Sequence, residues 1–163
     1  PGALQAAAES GLPVCLMHMQ GEPRTMQENP RYNPNVLFEV KRFLRERIEA
    51  ANSVAIDSAK IIIDPGFGFG KTLTHNLQLM NALPDLRAMG FPMLVGISRK
   101  SMIGQIVDRP VDERVYGSVS AAVISAMLGA AIIRVHDVAE TCQALAVVKA
   151  LKEMPGNTED EDD

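Results

Sequence analysis

Ile61-Ile62-Ile63-Asp64-Pro65-Gly66-Phe67-Gly68-Phe69-Gly70-Lys71-Thr72 is the stretch whose reading decides the fold. Three isoleucines between Lys60 and Asp64 read as a short buried strand. A carboxylate stands at its C-terminal end, a loop of alternating glycine and phenylalanine follows, and then a helix. In α/β folds, carboxylates at strand C-termini point into the crevice where ligands bind. The glycines let the backbone approach a flat ligand, and the two phenylalanines are expected to cover its faces. The loop is not a Walker phosphate loop, because counting back from Gly70 places the required glycine on Pro65. It is not the dinucleotide fingerprint either, since the third glycine comes one position early. A plain glycine-rich turn is the competing reading.

Working outward, strands and helices alternate. An Ala-rich helix runs from Leu4 to Ser10 and stops at Gly11, and Pro13 to Met17 reads as a strand. A polar loop carries the chain from His18 to about Pro34. Apolar residues at Val36, Leu37, Val40, Phe43, Leu44 and Ile48 have helical spacing, giving a helix over 36–51. A helix over 73–83 ends at Pro84, and Met93 to Ile97 is the third strand. After a short helix and a break at Arg109-Pro110, a long apolar helix covers 111–128. Ala131 to Val135 is the fourth strand and 138–154 the last helix. The acidic 155–163 segment reads as a disordered tail beyond a domain of residues 1–154. Strands separated by helices imply right-handed βαβ units, an α/β fold and a parallel sheet. Pro1-Gly2-Ala3 reads as the first turn of a helix, which implies further chain upstream.

The composition narrows function. The chain has 163 residues, 47% of them hydrophobic, enough for one substantial core. Its net charge is −4 and only 4% of its residues are aromatic, which argues against nucleic-acid or anionic-membrane binding. There is no apolar run of about 18 residues and no signal pattern at the start. Cys15 and Cys142 have no metal-like spacing and read as buried free thiols, which fits a cytoplasmic location.

Every strand end carries polar or sulfur-bearing groups: Met17 to Gln20, Asp64 with its loop, Ser98 to Ser101, and Arg134, His136 and Asp137. A parallel sheet brings these ends to one rim. Asp64 can accept two hydrogen bonds from the amino-imine edge of a heterocycle, and Lys100 is a movable cation. Arg134 and His136, two apart, can grip an anion. Ser101 begins a helix, where free backbone N–H groups can meet a carboxylate or phosphate. Each group also has a plainer reading: Asp64 in an Asx turn, Arg99 and Lys100 solvated, His136-Asp137 capping the last helix. His18 reads as a loop histidine without a role, and His75 as a helix-start residue facing solvent.

Taken together, Met17-His18-Met19-Gln20-Gly21, Asp64 to Lys71, Gly96 to Ser101 and Arg134 to Val138 resemble the dihydropteroate synthase family, from Pro1 to about Leu151. That resemblance implies a (β/α)8 barrel. It also implies condensation of 6-hydroxymethyl-7,8-dihydropterin pyrophosphate with p-aminobenzoate to dihydropteroate, with sulfonamides taking the aminobenzoate position. By the same resemblance, Asp64 binds the pterin ring, Gly68 and Phe69 lie beside it, and Met17 forms its apolar floor. Lys100 lies between the two substrates, Ser101 meets the aminobenzoate carboxylate, and Arg134 with His136 holds the pyrophosphate. Mg2+ is implied for a full enzyme, with its protein ligand in an N-terminal half and none here. The family also implies a homodimer built through the later helices, in the region 111–151. Alternatives from other classes are a pterin-binding barrel of the corrinoid methyltransferase type and a non-catalytic half-barrel interaction module. A full barrel needs about 250 residues and eight strands. The four strands read here correspond to its C-terminal half. An open sheet with exposed edges invites pairing. The isolated chain is therefore expected to associate with itself or with another chain, or to be poorly stable as a monomer, as checked by size-exclusion chromatography with light scattering and a thermal melt. A monomer that melts cooperatively contradicts this.

Overall fold

The structure, a computed structural model, describes residues 2–154. Pro1 and the 155–163 segment expected to be a tail lie outside the described residues. The elements in chain order are α1 (Ala3–Ser10), β1 (Val14–Met17), α2 (Val36–Ser53), β2 (Ile61–Asp64), α3 (Leu73–Asn81), α4 (Leu83–Arg87), β3 (Leu94–Val95), α5 (Ser101–Val107), α6 (Val115–Met127), β4 (Ile132–Ile133) and α7 (Val138–Glu153). The α/β alternation is as read. Gly2 is the N-cap of α1 with φ 86°, so the helix proper starts at Ala3 and the expected first turn at Gly2 is corrected.

β1 pairs in parallel with β2, and β3 with β4. A single parallel bridge, Ile63 to Met93, joins the two pairs into the order β1-β2-β3-β4. Barrel closure is absent among the described residues. In parallel pairing, residues opposite one another share a face. Ile61 and Ile63 are fully buried under the helices, and their neighbours Val14 and Leu16 pack on the same core. Cys15, Met17, Ile62 and Asp64 therefore point the other way, to a face that no described helix covers. This corrects the reading of the thiols: Cys15 is exposed on that face and Cys142 is exposed on α7.

The helices follow from capping and apolar spacing. Asn35 caps α2 by accepting a hydrogen bond from the Phe38 N–H at 2.9 Å. Val36, Val40, Leu44, Ile48 and Ala51 form the α2 stripe that seals the sheet. Three boundaries differ from expectation. Pro84 begins α4 instead of ending the structure there, because a ring at the first helical positions forfeits no hydrogen bond. The long helix expected over 111–128 starts at Val115. Before it, residues 111–113 form a 3-10 turn, and Arg114 turns its guanidinium onto the carbonyls of Arg109 and Arg99 at 2.9 and 3.0 Å. β3 and β4 are two residues each instead of five. Their ladder stops because Ser98 turns to accept from the His136 N–H at 3.2 Å and Arg99 takes φ 59°.

Candidate active site

The rim is built by the loops leaving the C-terminal ends of the four strands. Asp64 closes β2. One of its oxygens accepts from the Gly66 N–H at 2.7 Å, which is the Asx turn anticipated as the plainer reading. The second oxygen has no hydrogen-bond partner among the described residues. Burial pushes the carboxyl above its ordinary range. The Gly66 N–H and the charges of Lys100, Lys71 and Arg134 pull it back.

Glycine is required where the loop touches its neighbours. At Gly66, φ is 68°, and an added Cβ would stand 1.8 Å from the His18 carbonyl oxygen. At Gly68 a Cβ would come within 3.3 Å of the Lys100 stem. The loop is tied down by Asn76, whose side-chain oxygen accepts from the Gly68 N–H at 2.9 Å, and by Tyr32, which donates to the Gly70 carbonyl at 2.6 Å. Gln27 donates to the Gly68 carbonyl. Only half of the phenylalanine expectation holds. Phe67 is buried in the core and cannot face a ligand, whereas Phe69 stays half-buried at the rim. The turn explains this: the positive φ of Gly68, 80°, swings the backbone between the two rings, so they do not share a face.

Lys100 reaches across this loop. Its Nζ donates to the Phe67 carbonyl at 2.5 Å and stands 4.5 Å from the centre of the Phe69 ring. Burial lowers it to about 8, with Asp64 opposing that shift and Arg134 adding to it. Arg134 lies over Gly96, whose missing side chain makes room for the guanidinium. Met17, on the Asp64 face, sits against Gly66, 3.4 Å from where a Cβ would stand. Asp64, Lys100, Arg134, Met17, Gly68 and Phe69 are therefore brought together. His136 is near but engaged: its Nδ1 lies 3.1 Å from the Ser98 hydroxyl. Its neighbour Asp137 forms a two-pronged ion pair with Arg99, which holds the Asp137 carboxyl below its usual range. Ser101 is the exposed first residue of α5, lining a depression of about 450 Å³ with Gly104, Gln105 and Arg114. No hydrogen bond joins Ser101 or His136 to Asp64 or Lys100 among the described residues. A larger depression, about 550 Å³, runs along the outer face of α2, away from these groups.

Lys71 and Asn76 were missed in the sequence, and the packing of two histidines, His18 and His75, was not foreseen. His18 lies in a loop, as read, but it is buried. It is 4% exposed, edge-on to the Phe43 ring, with its Nδ1 2.9 Å from the Lys71 Nζ. Lys71 and Asn76 are buried polar groups that hold the glycine loop. The signal for Lys71 was its place directly after Gly70, and for Asn76 its place one turn into the helix that follows. His75 does sit at a helix start, closing a capping box with Thr72, but it packs against Tyr32 and is not fully solvent-facing. Burial and the Lys71 charge lower His18 from 6.5 to about 3.

Residues 1–136 match the family described as pterin binding enzyme. The dihydropteroate synthase of Escherichia coli K12 is 55% identical over 150 residues, covering 92% of this chain and 53% of that protein. The Yersinia pestis dihydropteroate synthase in a sulfonamide drug complex superposes with a TM-score of 0.91 at 53% identity, covering 93% of this chain and 55% of that one. The Xanthomonas albilineans enzyme in complex with 7,8-dihydropteroate gives a TM-score of 0.88 at 47% identity, covering 95% and 56%. The chain thus spans about half the length of the relatives it matches.

The His18 shift makes a stability prediction. Between pH 6.5 and about 3 the unfolded chain binds a proton on this histidine that the folded chain refuses. Its contribution to stability is complete above 6.5 and is lost as the pH falls through that window, with on the order of 3 kcal/mol gone by pH 4. Urea unfolding at pH 7 and pH 4 should show a steeper loss for the unsubstituted chain than for His18→Gln. Parallel losses contradict the burial of a neutral imidazole.

Proposed function

The chain belongs to the pterin binding enzyme family, and from that membership we propose that it carries the C-terminal half of a dihydropteroate synthase barrel. The observation that supports this most strongly is the free oxygen of Asp64 on the uncovered sheet face, with Lys100, Phe69 and Arg134 around it. A pterin ring presents an amino-imine edge that donates two hydrogen bonds to one carboxylate. Met17 floors the ring, and Gly68 and Phe69 border it. Lys100 stands between the ring and the aminobenzoate, and the Ser101 region receives the aminobenzoate carboxylate. Arg134, with His136, receives the pyrophosphate. The relatives' sulfonamide and dihydropteroate complexes support this choice of ligands.

The reaction needs charge stabilisation more than proton abstraction. The bond from the pterin methylene carbon to the pyrophosphate oxygen breaks, and its electron pair leaves on the anion. The arylamine nitrogen supplies the pair for the new carbon–nitrogen bond and then releases a proton. Asp64 stabilises the positive charge that spreads over the pterin, and the Arg134 guanidinium stabilises the departing anion. Aromatic amines are nucleophilic as free bases, so no paired nucleophile and base is required of the site.

Mg2+ is part of the proposal for a full enzyme, with its protein ligand in an N-terminal half; among the described residues no group of three His, Cys, Asp or Glu is arranged for a metal. No step is assigned to it. A homodimer through the 111–151 region belongs to the same proposal. It is supported by the exposed apolar side chains Ile124, Met127, Val147 and Leu151 on α6 and α7. A cytoplasmic setting is supported by two free thiols. No helix among the described residues is long and apolar enough to cross a membrane.

The test mixes this chain with the N-terminal half of the Escherichia coli relative as a separate polypeptide. Pyrophosphate release should then require p-aminobenzoate and be blocked by a sulfonamide, and the chain alone should be inactive. Asp64→Asn should lower kcat/KM by about a hundredfold or more. Release that ignores p-aminobenzoate, or an Asp64→Asn rate equal to that of the unsubstituted chain, overturns the reading.

A further inference from the structure

Lys71 is a buried cation that the proposed chemistry leaves unused. It is 3% exposed and reaches under the glycine loop instead of out to solvent. Its Nζ lies 2.8 Å from the Gly66 carbonyl, 3.1 Å from the Phe69 carbonyl and 2.9 Å from the His18 Nδ1. Those three partners come from two different strand ends, the loop after β2 and the loop after β1.

The two loops are pressed together at backbone distance. A Cβ on Gly66 would collide with the His18 carbonyl, and one on Gly70 would stand 2.5 Å from the Gln20 carbonyl. Contacts this close bring carbonyl dipoles together in a water-poor place, where unpaired oxygens are costly. Lys71 answers that need from below. As an ammonium it donates to both carbonyls and to His18, which requires a bare Nδ1 and the imidazole proton on Nε2. As an amine it still donates to both carbonyls and accepts from a proton moved to Nδ1. All three bonds persist in either state. The groups facing this pair are Asp64 and Lys100 on the rim side, His75 from α3, and Tyr32 with Phe43 around the imidazole.

We propose that Lys71 is a positioning residue: held by His18, its Nζ pins the Gly66–Phe69 turn onto the loop after β1 and thereby sets where the Asp64 carboxylate and the Phe69 ring stand. Asp64 shares the turn through its bond to the Gly66 N–H, and the Phe69 carbonyl is itself a Lys71 acceptor. The ligand part of this proposal rests on the pterin reading above. The loop part does not.

The test is made on the full chain by NMR and by binding of 6-hydroxymethylpterin, followed by its fluorescence. At pH 6 the His18 nitrogens should show a neutral ring with an unprotonated Nδ1. Lys71→Met should move the amide signals of residues 66–70 while leaving those of α2 in place, and should weaken pterin binding by on the order of tenfold. His18→Leu should do the same, whereas His18→Gln, whose amide oxygen can accept from Nζ, should restore most of the loss. A charged His18 at pH 6, unmoved loop amides in Lys71→Met, or equal behaviour of His18→Leu and His18→Gln overturns the proposal. If Lys71→Met does not fold, the His18 pair of variants decides. If neither the unsubstituted chain nor its mixture with the N-terminal half of the relative binds pterin, the pterin reading fails, while the imidazole signature and the loop amides still decide the role of Lys71.

Discussion

The structure depends on a parity constraint. Parallel pairing of β1 with β2 puts Val14, Leu16, Ile61 and Ile63 on one face and Cys15, Met17, Ile62 and Asp64 on the other. The helices bury the first set, with Ile61 and Ile63 wholly removed from water. Slipping β2 by one residue would drive Asp64 under α2 and expose the two isoleucines. That slip would bring Ile62 inward in exchange, a net loss of roughly 2 kcal/mol of burial for one isoleucine, and would also bury a carboxylate among apolar side chains. Hydrophobic burial on one side therefore fixes the position of a carboxylate on the other. The same parity carries across to Leu94, Gly96, Ile132 and Arg134, so the cation arrives on the carboxylate's side.

Once Asp64 is in place, the loop after it has to fold back tightly enough to present Phe69 and receive Lys100. Glycines give it the positive φ values this needs, and buried polar groups satisfy the carbonyls that a tight turn exposes. Positive charge is concentrated here. Lys71, Lys100 and Arg134 all act on one carboxylate, and burial lowers both lysines. Such crowding suits the anionic substrate proposed for this surface, whose phosphate groups would relieve it.

Much of this was legible in the sequence. The alternation of strand and helix, the identity of the four strands, and the gathering of Asp64, Lys100 and Arg134 on one rim follow from apolar periodicity and the handedness of βαβ units. What was not legible depends on contacts between segments far apart in the chain. His18 reads as an isolated loop residue because its partner, Lys71, lies fifty-three positions away. Phe67 and Phe69 look equivalent in a Gly-Phe-Gly-Phe-Gly string, and only the turn geometry sends one into the core. Cys15 sits in an apolar run, but an apolar run is buried on both sides only where both sides are covered. Pro84 and Arg114 reset helices whose periodicity runs straight through them. In each case a local pattern was overridden by a tertiary contact.

The central claim is that one uncovered sheet face, defined by strand parity, receives a pterin. A crystal structure of this chain with 6-hydroxymethylpterin tests it most directly. The account predicts the ring on the face that bears Met17 and Ile62, its amino-imine edge on the Asp64 carboxylate, with Lys100 and Phe69 beside it. A pterin seated against the outer face of α2, or an Asp64 turned toward the helices, would contradict it.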